Sequence, residues 1–290
     1  MIDPKTITTK KFIIFMSIAF GVAMIPMIIA GIMLNNGKTL PFMFFFRVVA
    51  IFIPLIAVVI SGAGFKKLGF KPKKFKFIPL ALVGPQILTW IGMAIYFAFN
   101  PDLFKISLES IFSQIPVELG FDVSSLSPKF IFVELAVLSL TAIPISQIIP
   151  SLGEEAGWRG VMYPFLKERL GVTAGRIVGG ILWGVWHFPL VIIGGHFYGK
   201  ENRFLGCFMI CLALTVFGIF IDYIYDKSGS IIVASIAHSA MNAAGLPLML
   251  VSTGNANQLL GPSAFSLIPI IPVIIVSVII VIFSKRMTAE

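Results

Sequence analysis

The chain has 290 residues, of which 58% are hydrophobic and 12% charged, and its mean hydropathy is +0.99. A soluble domain is about half apolar and about a quarter charged, so this composition excludes a water-soluble globular protein and makes lipid the solvent. The net charge of +9 does not indicate nucleic acid, because Lys and Arg fall in short runs between apolar segments and not on one polar face.

Runs almost free of charge occupy residues 12–34, 42–63, 77–99, 130–152, 176–193, 204–225, 231–251 and 265–284. Each is long enough for a helix across the hydrocarbon core, which takes roughly 20 residues. The first run follows Lys10 and Lys11, is longer than the apolar part of a signal peptide, and reads as retained. Ten-residue stretches of alternating polarity, the mark of a membrane barrel, are missing. The expected class is therefore all-α: a polytopic membrane protein with about eight transmembrane helices, forming a single integral membrane domain over 1–290. Two connections are more than turns. Residues 100–129 contain Leu103, Phe104, Ile106, Leu108, Ile111 and Phe112, which suit an interfacial helix, and 161–170 read as a second short helix lying on the membrane surface. Cys207 and Cys211 sit within one apolar run and read as packing residues.

Cytoplasmic connections retain Lys and Arg. With the N-terminus inside, the inner side holds Lys5, Lys10 and Lys11, six lysines between 66 and 76, Arg159, Lys167, Arg169, Arg176, Lys227, Lys285 and Arg286. The outer side holds only Lys38, Lys105, Lys129, Lys200 and Arg203. The expected location is a cell membrane, with both termini cytoplasmic.

Ionisable residues within spans cost roughly 2.5–3.5 kcal/mol on insertion scales, so each is a functional candidate. Those at membrane depth are Arg47, Glu134, Glu154, Glu155, His187, Asp222 and His238, with Arg159 just past the fourth run. In Glu154-Glu155-Ala156-Gly157-Trp158-Arg159 the spacing pairs Glu155 with Arg159 one helical turn on, and points Glu154 away from its neighbour. The free acid suits a general base, and an interfacial salt-bridge cluster is the plainer alternative. His187, in Trp183-Gly184-Val185-Trp186-His187, lies roughly 16 Å in from Arg176 and needs a hydrogen-bond partner there. His238 and Asn242 are four apart and share a helix face, which serves either one cavity or an interhelical hydrogen bond.

Together these groups suit amide hydrolysis by water. Glu154 would accept a proton from water that His187 orients, while His238 and Asn242 would donate to the oxyanion. Two imidazoles and a carboxylate are also a common catalytic zinc set, so Glu154, His187 and His238 are the ligands if zinc is used, although no His-Glu-x-x-His occurs.

The ordered motifs Glu-Glu-x-x-x-Arg, aromatic-x-x-x-His and His-x-x-x-Asn resemble the CPBP (Abi) family of intramembrane proteases. That family includes the type II CAAX prenyl endopeptidases, among them the Ras-converting enzyme, and bacterial proteins linked to bacteriocin self-immunity. The resemblance covers about 130–245, the motif-bearing core. It implies Glu154, His187, His238 and Asn242 as catalytic residues, Glu155 and Arg159 as the pair supporting Glu154, and a cavity open to the cytoplasmic side and to lipid. It also implies a membrane-associated or prenylated peptide as substrate, with the bilayer as the other partner. Trp183 stands where the family's motif has Phe, which is expected to change bulk alone. His196 falls outside every motif and reads as an outer loop residue. The rival expectation is a non-hydrolytic membrane protein, an immunity factor or transporter, using the same cluster for a ligand or a proton.

Overall fold

The computed structural model describes residues 6–65, 68–107, 127–252 and 256–286. Helices dominate: α1 (Thr9–Asn35), α2 (Thr39–Val48), α3 (Ile53–Ser61), α4 (Phe77–Phe99), α5 (Pro128–Leu140), α6 (Ala142–Ser146), α7 (Ile148–Gly157), α8 (Tyr163–Leu170), α9 (Val172–Trp186), α10 (Phe188–Gly194), α11 (Arg203–Ser228), α12 (Ile231–Ala243) and α13 (Ile271–Arg286). A two-residue antiparallel pair joins β1 (Lys105–Ile106) to β2 (Val251–Ser252). The chain is an all-α polytopic membrane protein. Among the described residues six helices are long and apolar enough to cross a membrane, and the apolar part of α13, Ile271–Ser284, is shorter.

The fourth apolar run is not one straight span. It breaks at Thr141 and again at Gln147, both outside helical geometry, giving α5, α6 and α7. Pro144 and Pro150 lie at these breaks, and proline withholds a backbone donor and crowds the preceding turn. From Ile148 the chain is then continuously helical, α7 passing through a π turn at Trp158–Met162 into α8. The expected surface helix over 161–170 is therefore wrong in its first half. Val161, Met162, Tyr163, Phe165 and Leu166 are buried, because this segment is the central helix of the bundle. The expected interfacial helix begins instead as a 3-10 turn at Pro101–Leu103 followed by β1, and positions 108–112 lie outside the described residues.

Burial follows from small residues at crossings. A Cβ on Gly184 would lie 2.6 Å from Cys211 Cα, so only glycine lets α9 and α11 approach this closely. Gly171, with φ +80°, turns the chain tightly between α8 and α9.

The bundle has two distinct ends. At the first, here the turn end, Arg169 donates to Thr9 Oγ1 (3.4 Å) and Arg176 to Ser284 Oγ (3.0 Å), so the starts of α1 and α9 meet the close of α13. Lys73 N–H donates to Ser228 O and Ile231 N–H to Gly69 O, each at 2.8 Å, joining two further connections there. An ion network buried at Asp222 and Arg176 and open to the surface at Asp226 closes this end. Asp222 takes Arg176 Nε (2.7 Å) and Lys167 Nζ (2.9 Å), and Asp226 takes Lys167 (2.9 Å) and Arg176 (3.1 Å). At the second end Lys200 donates to Asn35 O (3.1 Å), and Tyr198 to Phe265 O (3.0 Å).

Candidate active site

Glu154 lies on α7 and is 2% exposed. One of its oxygens, Oε2, accepts from two buried indoles: Trp183 Nε1 at 2.8 Å and Trp158 Nε1 at 3.1 Å. The other oxygen has no protein donor among the described residues, and the residue lines a cavity of about 350 Å³. That volume falls within the roughly 300–1,000 Å³ of ligand clefts. His187, His238 and Asn242 line the same cavity. The structure thus brings together all four residues that the motifs singled out.

Each imidazole is oriented by its Nδ1. His187 sits between α9 and α10, where Pro189 lies one residue into the next helix, and its Nδ1 is 3.0 Å from Trp183 O. A carbonyl only accepts, so Nδ1 carries the proton and Nε2 remains with a free lone pair. His238 places Nδ1 2.9 Å from Glu155 Oε1 and its ring 5.1 Å from that of Trp183. Asn242 is exposed toward the cavity, one turn beyond His238 on α12. Ser239 Oγ donates to Ser151 Oγ (2.9 Å), which fixes α12 against α7.

Glu155 and Arg159 are paired as their spacing implies, at 2.7 Å and both fully buried. Their contacts differ from the expected support of Glu154. Glu155 holds His238, whereas Glu154 is held by the two tryptophans. Arg159 also donates to Gly218 O (3.3 Å) and stacks on Trp183 (4.5 Å) and Tyr163 (4.6 Å). The guanidinium therefore acts through packing and through Glu155. Trp183 is more than bulk, because a phenylalanine there offers no donor to Glu154.

Several residues were misjudged or missed from sequence. His196 is a loop residue as read, and it also lines the cavity, its ring 5.5 Å from Phe42 and 3.8 Å from Phe197. Arg47 also lines the cavity, with no hydrogen bond or ion pair among the described residues. Asp222 is bound in the ion network of the turn end and has no part in the cavity, and Glu134 is exposed on α5. Trp158 was missed as a carboxylate donor, although it stands four residues after Glu154, the spacing that pairs Glu155 with Arg159.

Among the described residues no three His, Cys, Asp or Glu side chains are grouped closely enough to hold a metal ion. One oxygen of Glu154 and both Nε2 atoms are left free by the hydrogen bonds to Oε2 and Nδ1, so it is the spacing of the donors alone that speaks against zinc. As arranged, these residues do not fit a zinc site.

The cavity also has a direction. Beyond Glu154 it is lined by Leu34, Thr39, His196 and Phe197, at the end opposite the turn end. On the other side of Glu154 the central helix runs sixteen residues further to Leu170, about 24 Å at 1.5 Å per residue, with Trp158, Arg159 and Tyr163 fully buried along it. The cavity and the described chain ends therefore lie at opposite ends of the bundle. Treating 130–152 as one complete span had placed Glu154 at the wrong end of its helix.

Fold and cluster define a class: a polytopic helical membrane protein with a buried acid–imidazole–carboxamide site at the base of a cavity. Residues 136–244, the region that carries all four cavity groups, match the family described as Type II CAAX prenyl endopeptidase Rce1-like. The chain is also similar to the CAAX prenyl protease 2 of Methanococcus maripaludis, with 34% identity over 92 residues. That match takes in 31% of this chain and spans about a third (34%) of the length of the relative.

Proposed function

We propose that this chain is an intramembrane endopeptidase that hydrolyses a peptide bond with water activated at Glu154. The observation that carries the reading is the sorting of the two adjacent acids. Glu155 is paired through Oε1 with Arg159 and His238, its Oε2 buried without a partner and away from the cavity, whereas Glu154 lines a cavity shared with two imidazoles and a carboxamide.

In this reading, water sits between Glu154 and Nε2 of His187, and a proton passes to the Glu154 carboxylate as the oxygen attacks the scissile carbonyl. Asn242 donates from its carboxamide to the developing oxyanion, a contact worth roughly 2.7–4 kcal/mol in a preorganised site. His238, when its ring carries both protons, donates from Nε2 while its Nδ1–H donates to Glu155. The tetrahedral intermediate collapses, the C–N bond breaks, and Glu154 returns its proton to the leaving amine. The two indoles hold the carboxylate in one orientation throughout, which lowers the cost of reaching the transition state.

The words CAAX prenyl in the family description and in the relative's name support testing prenylated C-terminal tails first. The experiment is incubation of the purified protein with membrane-anchored peptides, with and without a farnesylated CAAX end, comparing wild type with Glu154→Ala. Cleavage lost in the variant supports the reading. Cleavage that persists overturns the role of Glu154, and activity that disappears on metal chelation reinstates a metal mechanism. A protein that binds such peptides without cutting them is a ligand-binding membrane protein instead.

A further inference from the structure

We propose that Arg47 is a specificity-determining residue of this cavity and binds the free C-terminal carboxylate of the peptide that is cut. The proposal rests on the endopeptidase reading for the cut itself, while the carboxylate contact is a matter of binding alone.

The cavity holds one cation and one anion that do not meet. Among its lining residues only Arg47 carries a permanent positive charge, and only Glu154 carries a carboxylate. The Arg47 guanidinium forms no hydrogen bond or ion pair among the described residues, and Glu154 is held by the indoles of Trp158 and Trp183. Opposite charges on a largely apolar space attract more strongly than in water, so a gap between them is kept by structure. The indoles fix one side of that gap, and the backbone fixes the other. Arg47 stands in the last turn of α2, and four residues on, Ile51 packs against α7, where a Cβ on Gly153 would lie 2.7 Å from Ile51 O. Arg47 is thus seated about one helical turn from the neighbour of Glu154, facing the carboxylate across the cavity.

An unpaired arginine at membrane depth is costly and marks a place where a ligand supplies the missing anion. The guanidinium is a planar fork that matches a carboxylate with two parallel N–H donations. Around it the lining is Leu34, Phe42, Phe46, Leu190 and Phe197, which receives apolar side chains and offers no second cation. A peptide with apolar side chains and its one negative charge at the chain end satisfies both features, whereas an uncharged internal stretch leaves Arg47 without a partner.

Binding is measured by fluorescence anisotropy in phospholipid-free maltoside micelles, in a Glu154→Gln background so that nothing is cut. The probe is a palmitoylated, fluorescein-labelled heptapeptide ending in three leucines, made as the free acid and as the C-terminal amide. The acid is expected to bind about 10- to 100-fold more tightly than the amide, and Arg47→Gln to remove the difference while leaving amide binding in place. Arg47→Lys, which keeps the charge without the fork, retains part of the preference. Because Arg47 is exposed and bonds to no other group among the described residues, these variants keep the unfolding temperature of their background. A lipid phosphate offers the fork the same chemistry, so the titration is repeated with phosphatidylglycerol in the micelles, where the preference is expected to persist. Equal or undetectable binding of acid and amide, a preference that survives Arg47→Gln, or one erased by the lipid overturns the proposal. A wild-type protein that cleaves nothing leaves the binding preference standing, and a missing preference leaves the role of Glu154 untouched.

Discussion

The two halves of the bundle use the same chemical groups to opposite ends. Toward the turns, Asp222 and Asp226 are each matched by Lys167 and Arg176 within 3.1 Å. Toward the cavity, Glu154, Arg47 and Asn242 stand on one open space with neither an ion pair nor a side-chain carboxylate partner among the described residues. Buried charge that is fully paired holds helices in register, whereas charge left unpaired costs stability and persists where it performs a task. Glu155 marks the boundary, since it pairs with Arg159 on the closed side and presents His238 to the open one.

Three substitutions probe that division. Asp222→Asn strips Lys167 and Arg176 of their shared buried partner, and breaking such a pair costs about 3–5 kcal/mol. Thermal unfolding in detergent should show the loss, while molecules that remain folded cleave at nearly the wild-type rate. Equal loss of activity and stability would mean that the two halves are coupled. Asn242→Ala should leave the unfolding temperature in place, because the side chain makes no contact that holds α12, and lower kcat by about 10²–10³ through loss of the oxyanion donor. A change confined to KM assigns Asn242 to substrate binding instead. The smallest effect is expected of Trp183→Phe. It removes one of two indole donors to Glu154, and with Trp158 still in place the rate should fall about tenfold, near the low end for a hydrogen bond to a charged group. Rescue by Trp183→His, which restores a ring N–H, would tie the effect to the donor and not to ring volume.

Much of this was legible in the sequence, and the limits have physical causes. Membrane character follows from bulk composition, which no tertiary detail alters. The pairing of Glu155 with Arg159, and the shared face of His238 and Asn242, follow from helical spacing within one segment. What crosses between segments was hidden. The bond from Glu155 to His238 spans 83 positions and that from Trp183 to Glu154 spans 29, and no local periodicity encodes either. The break at Thr141 and Gln147 was obscured because an apolar run containing Pro144 and Pro150 reads as one span by hydropathy. Read as one span, that run ends just before Glu154, whereas Glu154 stands early in a helix that begins at Ile148 and continues to Leu170. His196 was passed over because its place in the cavity comes from the fold of the α10–α11 connection against Phe42, not from a motif.

The most direct test of the whole account is cleavage of one membrane-anchored peptide in H₂¹⁸O by wild type and by Glu154→Gln, with the unfolding temperatures of the two proteins compared. Glutamine keeps the size of the side chain and still accepts from both indoles, but it cannot take a proton from water. The account predicts a single ¹⁸O in the new carboxylate of the wild-type product and a rate reduced by about 10²–10⁴ in the variant at an unchanged unfolding temperature. Undiminished cleavage by Glu154→Gln would contradict it.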